Sequence, residues 1–495
     1  MNNNLDHYFA KYAKRIIGID QTIETPNGQK KLIYADWIAS GRLYGPIEDI
    51  ITSKIGPMVA NTHSESSDTG KAITIAYHEA HEIIKNHVNA NSGDAIITCG
   101  TGMTGALSKL IRILGLKMPE KLLKDGQIEH EDRPVVFVTH MEHHSNQISW
   151  LETIADLVVI PPGENLLVDP EHLKIELEKY EERKLKIGAF TACSNVTGIK
   201  TPYHELAVLM HDYGGLCLVD FAASAPYVQI DMHPSTEPKA YLDGIFFSPH
   251  KFLGGPGSSG VLVFNKGLYK NTVPDEPGGG TVAWTNPWGG RSYFDDIEMR
   301  EDGGTPGFLQ AIRTALCIKL KEQMGVENIH EREKKLVEVF MNGLKDIASI
   351  KILAEDQTDR IGAISLYAEH IHFNLFVKLL NDRYGIQVRG GCSCAGTYGH
   401  YLLHVDADYS NQLTHKIDEG DLSQKPGWIR VSIHPTTSIE EINFILHGIR
   451  EIVDNVVEWK KDYSYDSKTN EFRHFADIDR KAEIESWFKV DQPSA

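Results

Sequence analysis

The chain has 495 residues, room for two or three domains at roughly 150 residues each. Fifty Lys and Arg against 68 Asp and Glu leave a formal charge of −18, which argues against nucleic acid or an anionic membrane as partner, since both need cationic surface. Hydrophobic residues at 41% and charged residues at 24% describe a folded globular protein, and its six scattered cysteines suit free thiols in a reducing compartment better than a disulfide framework.

The first residues carry no signal-peptide apolar core, and no stretch approaches ~18 uninterrupted apolar residues, so the expected location is the cytoplasm. In chain order, short apolar runs predict strands at Asp94–Thr98, Val135–Thr139, Leu157–Ile160, Ile187–Thr191, Leu216–Val219, Gly244–Phe247 and Gly260–Phe264. Helical patterns at Ala106–Leu114, Pro170–Arg183 and Pro202–His211 lie between them. Strand alternating with helix predicts an α/β fold: a mostly parallel seven-stranded sheet with helices on both faces, where ligands collect at the carboxyl ends of the strands. From Gly307 the texture changes to longer helices, Phe308–Met324 and Asn328–Ile347, then short α and β elements with a polar insertion over 401–425. The expected organisation is a large domain over 35–306, a smaller α+β domain from 1–34 and 307–455, and a helical C-terminal extension over 456–495.

Several polar clusters fall just after these strands. Gly100-Thr101-Gly102-Met103-Thr104-Gly105 spells G-x-G-x-x-G between a strand and a helix, and three readings stay open: a dinucleotide fingerprint, a phosphate cradle at a helix N-terminus, or a plain glycine turn. It lies deep in the chain, and no carboxylate ends the next strand unless Glu142 serves, which counts against a nicotinamide cofactor. Lys251 follows the strand Gly244–Phe247 inside Ser248–Gly260; it is either a surface lysine on a glycine-rich loop or a Schiff-base lysine whose charge is removed by an aldehyde. Asp220 ends another strand, where a carboxylate can keep a pyridine nitrogen protonated. Glu142–Asn146 offers imidazoles and Ser194-Asn195 an amide. An amine, a carboxylate, an imidazole, an amide and a phosphate loop together are what a pyridoxal phosphate site requires.

The chain resembles the class V branch of fold-type I pyridoxal phosphate enzymes, and within it the cysteine desulfurases and selenocysteine lyases. The motifs that carry the resemblance, in order, are Tyr34–Gly41, Ala60–His63, Gly100–Gly105, Glu142–Asn146, Ser194–Gly198, Val219–Ala222, Ser248–Gly260, Gly278–Gly280, Gly304–Pro306, Arg389–Ala395 and Arg430–His434. The resemblance implies pyridoxal 5′-phosphate on Lys251, Asp220 at the ring nitrogen, His143 stacked on the ring and Asn195 at its phenolic oxygen or the substrate. Thr101, Gly102, Ser248 and His250 would hold the phosphate. It also implies a homodimer with a shared site, in which Thr305 crosses to the other subunit. Arg430 would take the carboxylate of a small amino-acid substrate, with His63 and Arg389 as looser matches that a structural role would equally explain.

Cys394 occupies the column of the desulfurase nucleophile, which would strip sulfur or selenium from cysteine or selenocysteine, leaving alanine and a cysteine persulfide for a possible sulfur-acceptor protein. Cys392 and Cys394 together also allow a redox pair, a metal site with His140, His143 or His144, or two ordinary loop thiols; without a second Cys pair at zinc spacing, no metal is expected. Two departures stand out. Ala223 replaces the glutamine that desulfurases carry three residues after the aspartate, and an insertion separates Cys394 from Arg430. The alternative reading is another class V enzyme (an aminotransferase, epimerase or β-lyase) acting without persulfide chemistry.

Overall fold

The computed structural model describes residues 3–62, 66–122 and 132–490. Seven strands form its main sheet: β1 (Asp94–Cys99), β2 (Val135–Thr139), β3 (Asp156–Ile160), β4 (Lys186–Thr191), β5 (Leu216–Asp220), β6 (Gly244–Phe247) and β7 (Gly260–Asn265). They lie in the order β1-β7-β6-β5-β4-β2-β3, parallel except for β7, which runs antiparallel to both its neighbours. The strands read as unbroken apolar runs because both faces are covered. Successive side chains alternate between two cores: Val135, Phe137, Val219, Ile245 and Phe247 enter one, while Val136, Val138, Leu218 and Phe246 enter the other.

Helices precede the sheet, connect its strands β1 to β5 and follow it. They are α1 (Asn3–Ala13), α2 (Asp68–His87), α3 (Met103–Ile113), α4 (His144–Leu151), α5 (Pro170–Lys179), α6 (Tyr203–Asp212), α7 (Phe308–Met324) and α8 (Val326–Lys345). A buried seam of Tyr77, Ala80, Ala311, Ile312 and Ala315 joins α2 to α7, and Tyr8 and Tyr12 of α1 donate to the Gln323 carbonyl at the end of α7.

A second body follows. Strands β8 (Ile350–Ile352), β9 (Ala363–Ala368), β10 (Arg389–Gly391) and β11 (Trp428–Ser432) make an antiparallel sheet ordered β8-β9-β11-β10. It packs on α8, α9 (Phe373–Tyr384) and α12 (Ile439–Trp459) through Leu336, Phe340, Phe376, Leu379, Ile429, Val431 and Ile445. Ile33 and Ala35 enter this core too, and Ile33–Tyr34 pairs with Ile386–Gln387, but Phe9, Tyr12 and Ile16 enter the core of the main sheet, so only the end of the N-terminal segment expected in the smaller domain is stitched to it. The polar insertion folds as α11 (Ala407–Asp418), capped by Asp406, after the short helix α10 (Gly396–Leu402).

The stretch after α12, expected as a helical extension, differs. It folds as a hairpin of β12 (Tyr463–Asp466) and β13 (Glu471–His474), and only Lys481–Ser486 is helical. Alternation in the hairpin decides this: Tyr465 and Phe472 pair across the strands with ring centroids 4.6 Å apart and pack on His372, and the Tyr463 hydroxyl donates to Asp382 at 3.0 Å.

Candidate active site

The carboxyl ends of β2, β4, β5 and β6 open onto one cavity of about 200 Å³, closed on its far side by the second body. Asp220, the last residue of β5, lines it. One carboxylate oxygen accepts from Ala222 N at 2.7 Å, and burial raises the acid to about 6 against the pull of that N–H and of the Lys251 charge. Lys251 lies in the turn after β6 and lines the same cavity. Burial lowers its amine to about 8, with Asp220 pulling the other way, and no ion pair holds it among the described residues. A lysine without a partner in such a place is costly as a cation and well prepared as a nucleophilic amine. The N-terminal segment closes over this turn: a Cβ on Gly41 would sit 1.9 Å from the Phe252 carbonyl oxygen, so only glycine allows the approach.

The glycine turn after β1 delivers a helix N-terminus to the cavity. Gly102 precedes α3 with φ 145°, and a Cβ there would fall 2.9 Å from His250 Cε1 and 3.0 Å from Ser248 Oγ. Ser248 Oγ accepts from Met103 N at 2.8 Å. Ser248 and His250 thus pack against Gly102 at a distance that only a missing side chain allows, which places a hydroxyl and an imidazole beside a helix N-terminus, groups of the kind that can hold a phosphate. Thr101 is exposed in this turn and outside the cavity lining. Thr104 and Ser145, which the motifs did not single out, line it and share a 2.7 Å hydrogen bond.

His143 caps α4, its Nδ1 accepting from Ser145 N at 3.1 Å. Burial first, then the Lys251 charge, lowers it to about 3, so the ring is neutral with its proton on Nε2. Glu142 points away from the cavity. Fully buried, it accepts from Thr139 Oγ1 at 2.7 Å, Thr191 N at 2.8 Å and Asn146 Nδ2 at 2.8 Å, tying β2 to β4. It is therefore a strut, and no ribose partner stands there for the dinucleotide reading.

Asn195 and Arg430 connect the sheet to the second body. Asn195 Nδ2 donates to the Ser393 carbonyl at 2.7 Å, while its Oδ1 is buried without a partner. Arg430, on β11, donates to the Asn195 carbonyl at 3.1 Å and pairs with Asp36 at 2.8 Å, leaving its buried Nε unpartnered. Directly across from it on β10 stands Arg389, and both arginines line the cavity. Opposed like charges on adjacent strands are unfavourable, so the site is prepared for an anion.

Cys394 belongs to the turn that follows β10. Its carbonyl accepts from His144 N at 2.7 Å, and Gly396 N donates to His144 Nε2 at 2.9 Å. Ser393 lines the cavity and Cys394 is half-buried beside it. Burial raises the thiols of Cys99, Cys193, Cys217 and Cys317; Cys193, Cys217 and Cys317 are buried and Cys99 half-buried. No group of three or more His, Cys, Asp or Glu suited to a metal occurs among the described residues. Thr305 is exposed, 3.2 Å from Asn61 Oδ1, and takes no part in the lining of this cavity. His63 lies outside the described residues.

Residues 33–445 match the aminotransferase class-V family. The chain belongs to that family. Enzymes of this family use pyridoxal 5′-phosphate. A probable cysteine desulfurase of Halalkalibacterium halodurans is 28% identical over 369 residues, 74% of this chain and 84% of its own. One of Staphylococcus epidermidis is 28% identical over 389 residues, 77% of this chain and 88% of its own. The solved cysteine desulfurase of Thermococcus onnurineus shares the fold at a TM-score of 0.71 and 22% identity, covering 90% of this chain and 98% of that one; an Escherichia coli cysteine desulfurase gives 0.69 and 18% over the same shares.

The cavity suits pyridoxal phosphate by its own chemistry. It offers an unpaired amine at Lys251, a carboxylate at Asp220, the Ser248 hydroxyl and His250 imidazole beside the N-terminus of α3, and an orphaned acceptor at Asn195. Ala223 lines it where the glutamine was expected and brings no donor. No helix among the described residues is long and apolar enough to cross a membrane.

Proposed function

We propose that the protein is a cysteine desulfurase that converts L-cysteine, or selenocysteine, to alanine. The observation that carries this reading is the meeting of Lys251 and Asp220 from the main sheet with Arg430 and Ser393 of the second body around one cavity, Cys394 following Ser393 in its turn just outside the lining. The family membership and the relatives' names support it.

In this reading Lys251 would hold the cofactor at its aldehyde and, as a free amine, would move the substrate's α-proton. Asp220 would keep the ring nitrogen protonated, His143 would stack on the ring, and Asn195 would offer its amide to the phenolic oxygen or the substrate. Gly102, Ser248 and His250 would hold the phosphate, with Thr101 next to Gly102 in the same turn, and Thr305 would serve the site of a second subunit in a homodimer. Pyridoxal phosphate supplies an electron sink for the carbon skeleton of the amino acid. Arg430, with Arg389 beside it, fixes the substrate carboxylate, the fork of a guanidinium matching its two oxygens. That orientation brings the substrate sulfur toward Cys394. The Cys394 thiolate attacks it, an S–S bond forms, the substrate C–S bond breaks, and the carbon keeps the electron pair and takes up a proton. The products are alanine and a persulfide on Cys394, whose sulfur passes to an acceptor.

The test is turnover of L-cysteine by the protein reconstituted with pyridoxal phosphate. Alanine is expected, in equal amount with sulfide when a reductant is present. A yellow protein that makes no alanine from cysteine would contradict the reading and favour another class V reaction.

A further inference from the structure

The turn that carries Cys394 holds a second thiol. Cys392-Ser393-Cys394-Ala395 is a tight β-turn closed by Ala395 N donating to the Cys392 carbonyl at 3.1 Å. Both central residues have positive φ, 50° at Ser393 and 56° at Cys394, the type I′ pattern that Asn and Gly usually fill. Side chains there are a strained choice, and such strain clusters where chemistry needs a fixed group.

The turn is pinned. Asn195 Nδ2 holds the Ser393 carbonyl at 2.7 Å, Trp428 Nε1 holds Ser393 Oγ at 3.2 Å, and His144 N holds the Cys394 carbonyl at 2.7 Å. A loop tied at three points does not swing its thiol outward to a distant acceptor. Cys392 and Cys394 are both free and half-buried. Two Cα steps of ~3.8 Å, bent through a turn, bring their backbones within the ~4.4–6.8 Å that a disulfide spans. Arg430 stands close enough to Cys394 for their charges to interact.

We propose that Cys392 is a resolving thiol: it displaces the sulfur carried by Cys394, which leaves as hydrosulfide. The proposal rests on the desulfurase reading above. The Cys392 thiolate attacks Sγ of Cys394, a disulfide bond forms between the two residues, and the bond from Cys394 Sγ to the terminal sulfur breaks. That sulfur departs with the electron pair. The two thiols lose two electrons and the departing sulfur gains them, so the step needs no outside oxidant. A dithiol reductant, a small molecule or a protein dithiol, then reopens the disulfide for the next turnover.

The experiment uses the holoenzyme with one equivalent of L-cysteine and no other thiol, beside Cys392→Ser. The wild type should release alanine and sulfide in equal amounts, and its 392–394 peptide should be lighter by two hydrogens. Cys392→Ser should make the same alanine, release at least tenfold less sulfide, and carry one extra sulfur on Cys394. Sulfide release from Cys392→Ser equal to the wild type, or a wild-type peptide with retained sulfur and a free Cys392, overturns the proposal. If the wild type makes no alanine, it is the desulfurase reading that fails. The resolving role is then decided by loading sulfur onto Cys394 from inorganic polysulfide: a Cys392–Cys394 disulfide supports it, and a persistent persulfide in the wild type overturns it.

Discussion

Arg389 and Arg430 face each other across adjacent strands, and one carboxylate, Asp36, answers for one of them. Asp36 neutralises part of the repulsion and orients the Arg430 fork, but it leaves an excess positive charge at the cavity wall. A substrate carboxylate completes the set. Arg430→Lys keeps the charge and loses the fork, so the KM for the amino acid should rise about 10–100-fold, matching the ~1.5–3 kcal/mol of a charged hydrogen bond. The absorbance of the bound cofactor should not change, because Lys251 and Asp220 are untouched. Steady-state kinetics and a spectrum on the same sample check both, and a lost spectrum with an unchanged KM would refute the assignment. Asp36 itself was not legible in the sequence as a site residue. Its partner lies 394 positions away, and nothing local marks it beyond the Tyr34–Gly41 motif.

At the scale of elements, the glycine turn before α3 makes a sharper claim. Gly102→Ala places a Cβ 2.9 Å from His250 and 3.0 Å from Ser248 at φ 145°, so it displaces two of the proposed phosphate-holding side chains and strains the backbone together. Cofactor affinity should fall about 10–100-fold, the equivalent of roughly 1–3 kcal/mol. Gly115 separates the two effects. It has φ 71° with nothing within 4 Å of its Cβ position, so Gly115→Ala should lower the Tm and leave cofactor affinity alone. Titration of both apoproteins with pyridoxal phosphate tests this, and equal losses would refute the cradle. The strands themselves were readable because a sheet covered on both faces needs continuous apolar runs. The reversed direction of β7 was not, since an apolar run carries no polarity. The hairpin β12–β13 escaped because its packing partners, His372 and Asp382, lie far upstream, and the charged pattern from Asp477 reads as helix over a longer stretch than Lys481–Ser486.

At the scale of the whole molecule, the account divides the chemistry between two bodies. The main sheet brings Lys251, Asp220 and His143; the second body brings Arg389, Arg430 and the Cys394 turn, and Asn195 hydrogen-bonds to that turn. The motifs made most of these residues legible one by one, but not that they converge, because convergence depends on how the second body seats against the strand ends. This division makes the central claim separable. The most direct measurement is alanine formation from L-cysteine by Lys251→Ala and Cys394→Ala beside the wild type, with the absorbance of each protein and deuterium uptake at the substrate α-carbon. Lys251→Ala should lose the yellow covalent chromophore, the exchange and the alanine together. Cys394→Ala should keep the chromophore and the exchange, yet make at least about 100-fold less alanine, as expected when one member of a catalytic set is removed. Alanine formation by Cys394→Ala at close to the wild-type rate would contradict the account.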